Sequence, residues 1–118
     1  GYGSSAIKER LYFSASSEKP MNGILIYTTG DSEGSLGGLV RLGDPVILSK
    51  LMINAIEKAK WCSLDPVCME SRGQGPDACN LAACHNCSLV AETSCENGNR
   101  LLDRTLLIDE NIGYFKNL

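Results

Sequence analysis

The 118-residue sequence is poor in the features from which a function is usually read. It has one histidine and only 6% aromatic residues, so no metallohydrolase spacing built on several histidines is available. It carries no excess of positive charge: the formal net charge of −3 is opposite to the footprint of a free-standing nucleic-acid binder. No apolar run approaches the ~20 residues of a membrane-spanning helix, so no membrane partner is expected. No initiator Met, basic leader or apolar signal segment stands at Gly1-Tyr2-Gly3-Ser4-Ser5, which reads as part of something larger. Residues 1–61 contain no cysteine at all. What remains, 43% hydrophobic and 21% charged, is the composition of one ordinary globular domain over 1–118.

The cysteines are few but crowded. All six lie between Cys62 and Cys95, at positions 62, 68, 79, 84, 87 and 95, and the tightest pair forms Cys84-His85-Asn86-Cys87. A disulfide framework staples distant segments, whereas two sulfurs two residues apart can chelate one ion from a single turn. The spacing therefore predicts one structural zinc, with disulfides or metal-free thiols as the other readings, and a cytoplasmic setting. Cys84 and Cys87 are the firm ligands. Cys68 and Cys95 flank them, with Cys62 the strongest alternate. Cys79, beside Leu81-Ala82-Ala83, reads as a small buried hydrophobe, and His85, inside the C-x-x-C, points away from the metal.

Three parts follow one another. Residues 10–61 hold two strands, at 10–15 and 23–29, a glycine-rich connector at 30–38 and a helix from Pro45 to about Lys60. Asp44-Pro45 starts that helix, and Ile47, Leu48, Leu51, Met52, Ala55, Ile56 and Ala59 recur on one face. The apolar Ile24-Leu25-Ile26 predicts a central strand. Residues 62–108 form the cysteine part, with helical segments over 77–89 and from Cys95, capped by Ser94, to Leu107; Trp61 packs under it. Residues 109–118 are a tail. The fold class is α+β: a small sheet covered by an amphipathic helix, with a zinc-held helical C-terminal lobe.

No constellation of catalytic residues stands out, and no small-molecule substrate is expected. The connector lacks a phosphate-loop pattern and carries Asp31 and Glu33, which repel phosphate. The enzymatic alternative is a hydrolase or nuclease using Asp31 and Glu33 with a divalent cation, since carboxylate oxygens suit hard ions.

Two sets of strings occur together: Gly23-Ile-Leu-Ile-Tyr27 through Asp31 to Leu39, and Ala83-Cys-His-Asn-Cys87 with Glu92-Thr-Ser-Cys-Glu96 and Asn99-Arg-Leu-Leu-Asp-Arg104. Over roughly residues 10–108 the combination resembles the C-terminal cysteine-cluster domain, of unknown function, of MrfA-type DNA-repair helicases and of helicase-associated phage-defence proteins of DISARM systems. The resemblance implies zinc held by Cys84 and Cys87 together with cysteines matching Cys95, Cys62 and Cys68. It implies a non-catalytic accessory role beside a helicase-type partner, with DNA engaged through the complex. Arg100, Arg104, Lys50, Lys58 and Lys60 are the cations available for such contacts, and Arg104 could instead pair with Asp103 or another carboxylate. No helicase motif is present in the chain itself.

Overall fold

The computed structural model describes residues 6–14, 16, 18–29 and 38–118. Residues 30–37 of the glycine-rich connector, with Asp31 and Glu33, lie outside them. Strands β1 (Ile7–Tyr12) and β2 (Gly23–Thr28) form a two-stranded antiparallel sheet in which Ile7 faces Thr28 and Tyr12 faces Gly23. β1 therefore begins three residues before its predicted start. β2 is not central: β1 is its one neighbour among the described residues, and Ile24, Leu25 and Ile26 are all exposed. An apolar run fits a strand buried on both faces, but it cannot say what supplies the second face.

After the short α1 (Gly38–Arg41), helix α2 spans Pro45–Ala59. Its start follows from chemistry. Asp44 Oδ1 accepts from the amides of Val46 (3.0 Å) and Ile47 (3.3 Å), and Pro45 gives up an amide that would have had no partner. The helix does not cover the sheet as expected: it packs against α4 (Thr105–Ile108) with Ile56 as its buried residue, while β1 packs against the 3-10 turn Glu92–Ser94. Glu96, just beyond that turn, fixes the hairpin. Its carboxylate accepts from the Leu11 amide (2.8 Å) and the Arg10 guanidinium (2.9 Å), and its own amide donates to Glu9 (2.6 Å).

The predicted helices over 77–89 and 95–107 do not form. A 3-10 turn (Pro76–Ala78), a knuckle at 84–89 and a run of turns replace them, with helix only in α3 (Val67–Glu70) and α4. The reason is local: Asp77, Ala78, Ala82, Asn99 and Leu101 all have positive φ, a region that no right-handed helix uses. The apolar periodicity there describes a loop-built core. Ile56, Cys62, Cys68, Ala82 and Ala83 are its buried hydrophobic members, beside buried Asn80, Asn99 and Arg104. Trp61 is 71% exposed instead of underlying the cysteines; Ala82, Ala83 and the Arg104 side chain fill the interior there. Cys79 is likewise exposed, since the helix that would have buried it is absent.

Two asparagines replace regular backbone pairing. Asn80 exchanges two backbone bonds with Gln74 (both 2.9 Å), donates Nδ2 to the Asn99 carbonyl (2.7 Å) and accepts from the Leu102 amide at Oδ1 (3.0 Å). Asn99 uses its amide as a strand would, accepting from the Val90 N–H (3.1 Å) and donating to the Val90 carbonyl (2.7 Å). Gly75, at φ +71°, must be glycine, because a Cβ there would collide with the Asn80 amide. Asn80→Ala strands a buried N–H and a buried carbonyl, so it should lower stability by roughly 2–4 kcal/mol. Urea denaturation of the variant measures this; an unchanged midpoint would show that Asn80 is not a structural tie.

Candidate metal centre

Cys62, Cys68, Cys84 and Cys87 come together, with all four Sγ atoms within 4.8 Å of one another. Each pair arrives from its own piece of chain. Cys62 follows the C-terminus of α2 and Cys68 sits in α3, across the Asp65-Pro66 turn; Cys84 and Cys87 span the knuckle. In the knuckle the Cys84 carbonyl accepts from the amides of Cys87 (3.2 Å), Ser88 (2.9 Å) and Leu89 (3.2 Å), which curls the chain so that both sulfurs face one point. The two pieces are joined at the surface by Asn86 Nδ2 donating to Ser63 Oγ (2.9 Å).

The sulfurs are 3.5 Å apart for Cys62–Cys84 and 3.8 Å for both Cys68–Cys87 and Cys84–Cys87. These are contacts, far beyond the ~2.05 Å of a disulfide, and all six cysteines are unpaired thiols. Donors surround the group. Leu64 N–H points to Cys62 Sγ (3.5 Å), Cys84 N–H to Cys87 Sγ (3.4 Å), Gln74 Nε2 to Cys68 Sγ (3.4 Å) and Ser88 Oγ to Cys87 Sγ (3.2 Å). Donors aimed at sulfur favour the thiolate. Burial works to raise the Cys87 thiol, but Ser88 and the Cys84 amide outweigh it and bring it down to about 7. Burial dominates at Cys68, pushing it up to about 12, and raises Cys62 as well. Four converging soft donors, one of them poised to ionise near neutrality, could hold a metal ion.

The other candidates fall elsewhere. Cys95 closes the Glu92–Ser94 turn, apart from the four-thiol group, because Glu96 beside it is committed to the hairpin. His85 is exposed and lines a cleft of about 970 Å³ with Ile7, Leu89 and Arg100, outside the thiol group. Arg100 pairs with Asp77 on the surface (2.7 Å), and Lys58 is exposed on α2. Arg104, predicted as a contact for a partner or DNA, is 2% exposed and cannot reach either.

Arg104 instead meets Asp65 in a two-pronged ion pair, Nη2 to Oδ1 at 2.6 Å and Nη1 to Oδ2 at 3.1 Å. Its Nε donates to the Ala82 carbonyl and Nη1 to the Ala59 carbonyl, each at 3.0 Å. Asp65 also accepts from the amides of Cys62 (2.9 Å) and Met69 (3.1 Å). Asp65, Gln74 and Ser88 were not singled out from sequence. For Asp65 a signal existed: an Asp three residues after a cysteine and before a proline suits a turn whose carboxylate takes back the cysteine amide.

The Arg104 hydrogen bond, outweighing burial, holds the Asp65 carboxyl below its ordinary range. A group lowered on folding stabilises the fold above its unfolded value, about 3.9 for Asp, and that contribution is lost as pH falls through the folded value. The stability gap between wild type and Asp65→Asn should therefore be full at neutral pH and close below about pH 4. Urea midpoints of both proteins across that range, taken with a metal chelator present throughout, measure it. A gap independent of pH would deny the carboxylate this role.

No family model matches the chain. It is 51% identical over 109 residues to the DISARM protein DrmB of Bacillus paralicheniformis. The match takes in 92% of this chain and 19% of that relative, so the chain spans about a fifth of the length of the curated relative it matches. The likeness expected from the Ala83–Cys87 and Glu92–Glu96 strings is thereby borne out: over nearly its whole length, this chain is similar to a segment of a DISARM protein.

Proposed function

We propose that the chain is a non-catalytic, zinc-stabilised accessory segment of a helicase-associated phage-defence protein, supporting the docking of a protein partner. The four-sulfur group carries this reading. Sulfurs held about 2.3 Å from a tetrahedral zinc lie about 3.8 Å from one another; three of the six pairs here are 3.5 to 3.8 Å apart and all six are within 4.8 Å. An all-thiolate set leaves no open position for a substrate or water, which makes the zinc structural. Cys62, Cys68, Cys84 and Cys87 would hold it, and the ion would supply the cross-link between the two loops. Similarity to a DISARM protein supports the phage-defence setting.

Docking is supported by the surface. On α2, Leu48, Leu51 and Met52 share one face and are each more than 40% exposed. A contiguous apolar helix face of this kind marks a protein contact more often than a nucleic-acid contact. DNA would then be engaged through the partner, a helicase-type protein, and not by a basic face of this chain.

Elemental analysis of the purified protein should give one zinc per chain. Serine at Cys62, Cys68, Cys84 or Cys87 should abolish stoichiometric zinc, and serine at Cys79 or Cys95 should leave it in place. A fully folded protein without metal, or zinc lost on changing Cys95, would overturn the assignment. Pull-down of a helicase-type partner by the full-length protein, weakened by Leu51→Glu with zinc content unchanged, tests the accessory role; equal capture would count against it.

A further inference from the structure

One side chain controls both halves of the thiol group. Arg104 binds the carbonyl of Ala59, three residues before Cys62, and the carbonyl of Ala82, two residues before Cys84. Through Asp65 it also holds the turn between Cys62 and Cys68, since Asp65 takes the amides of Cys62 and of Met69, next to Cys68. All three strands of chain that deliver ligands thus end on one guanidinium. Arg104 is the only buried cation among the described residues, and Asp65 balances its charge, so what it brings to the thiol group is position.

We propose that Arg104 is the positioning residue of the metal centre, setting how tightly the four thiolates retain their ion. Arginine is required because only a planar fork can meet Asp65 with two bonds while sending donors to two carbonyls. A lysine carries the charge but offers a single point of attachment. The proposal rests on the reading of the thiol group as a zinc site, and wild-type zinc content tests that reading separately.

The test compares zinc retention against a chromophoric chelator in the full-length protein for wild type, Arg104→Lys, Arg104→Met and Asp65→Asn. Partners outside the ligand shell change metal affinity about 10- to 100-fold, and Arg104→Met should weaken retention by that amount, with Arg104→Lys between it and wild type. Asp65→Asn breaks the ion pair but leaves Arg104 its bonds to the Ala59 and Ala82 carbonyls, so it should retain zinc at least several-fold better than Arg104→Met. If only the ion pair mattered, Asp65→Asn and Arg104→Met would be equal. Cobalt substitution supplies a second readout, because tetrahedral thiolate bands in each variant show that the site is assembled in the protein being measured. If Arg104→Met does not load at all, the order of Arg104→Lys and Asp65→Asn relative to wild type decides. Unchanged retention in Arg104→Met, or equal retention in Arg104→Met and Asp65→Asn, would overturn the proposal. Absence of zinc from the wild type would instead overturn the metal reading on which it rests.

Discussion

The buried ion pair between Arg104 and Asp65 is the constraint on which the rest of the cysteine lobe depends. Taking a guanidinium out of water is costly unless nearly all its donors find acceptors. Here the two prongs to Asp65 and the two carbonyls at Ala59 and Ala82 supply them. Those acceptors belong to the end of α2, the loop between the first two thiols and the approach to the knuckle. Satisfying one charge therefore fixes three stretches of backbone that share no regular secondary structure.

This economy suits a chain with little aliphatic interior. Among the described residues the buried hydrophobic ones are Ile56, two alanines and two cysteines, and the other buried side chains are polar. Order in the loops comes instead from directional bonds: the Asn80 and Asn99 amides acting as substitute strands, and the convergence of sulfurs. In such a core, shape is specified by hydrogen-bond geometry and not by volume filling, and the left-handed residues at 77, 78, 82, 99 and 101 are its local cost.

Legibility from sequence followed the range of the interactions. The α2 start was readable because Asp44-Pro45 acts within one turn, and the Cys84–Cys87 pair because its chelate closes within four residues. The α+β class was readable too, from a strand pattern followed by one strong amphipathic helix. The fourth member of the thiol group was harder. Cys95 is nearer than Cys62 in sequence to the C-x-x-C, but Glu96 is drawn to β1, eighty-five residues away, and a single chain cannot serve both. The false helices at 77–89 and 95–107 arose from apolar spacing that is real but serves a loop. Burial of Arg104 was beyond reach, because its partner lies 39 residues upstream and a charged side chain is normally a surface one.

Glu96 has a further effect on the hairpin. By accepting the Leu11 amide it occupies the place that a neighbouring strand's carbonyl would take on the outer side of β1. In an antiparallel pair the outward-facing groups alternate, and the Thr29-to-Ala6 bond puts Ile24, Ile26 and Thr28 on the outer side of β2. One margin of the sheet is thus closed by an acidic stopper, while the other is formed by a strand that carries neither charge nor proline and has no further strand beside it among the described residues. Which margin of the hairpin is covered is set from the cysteine lobe.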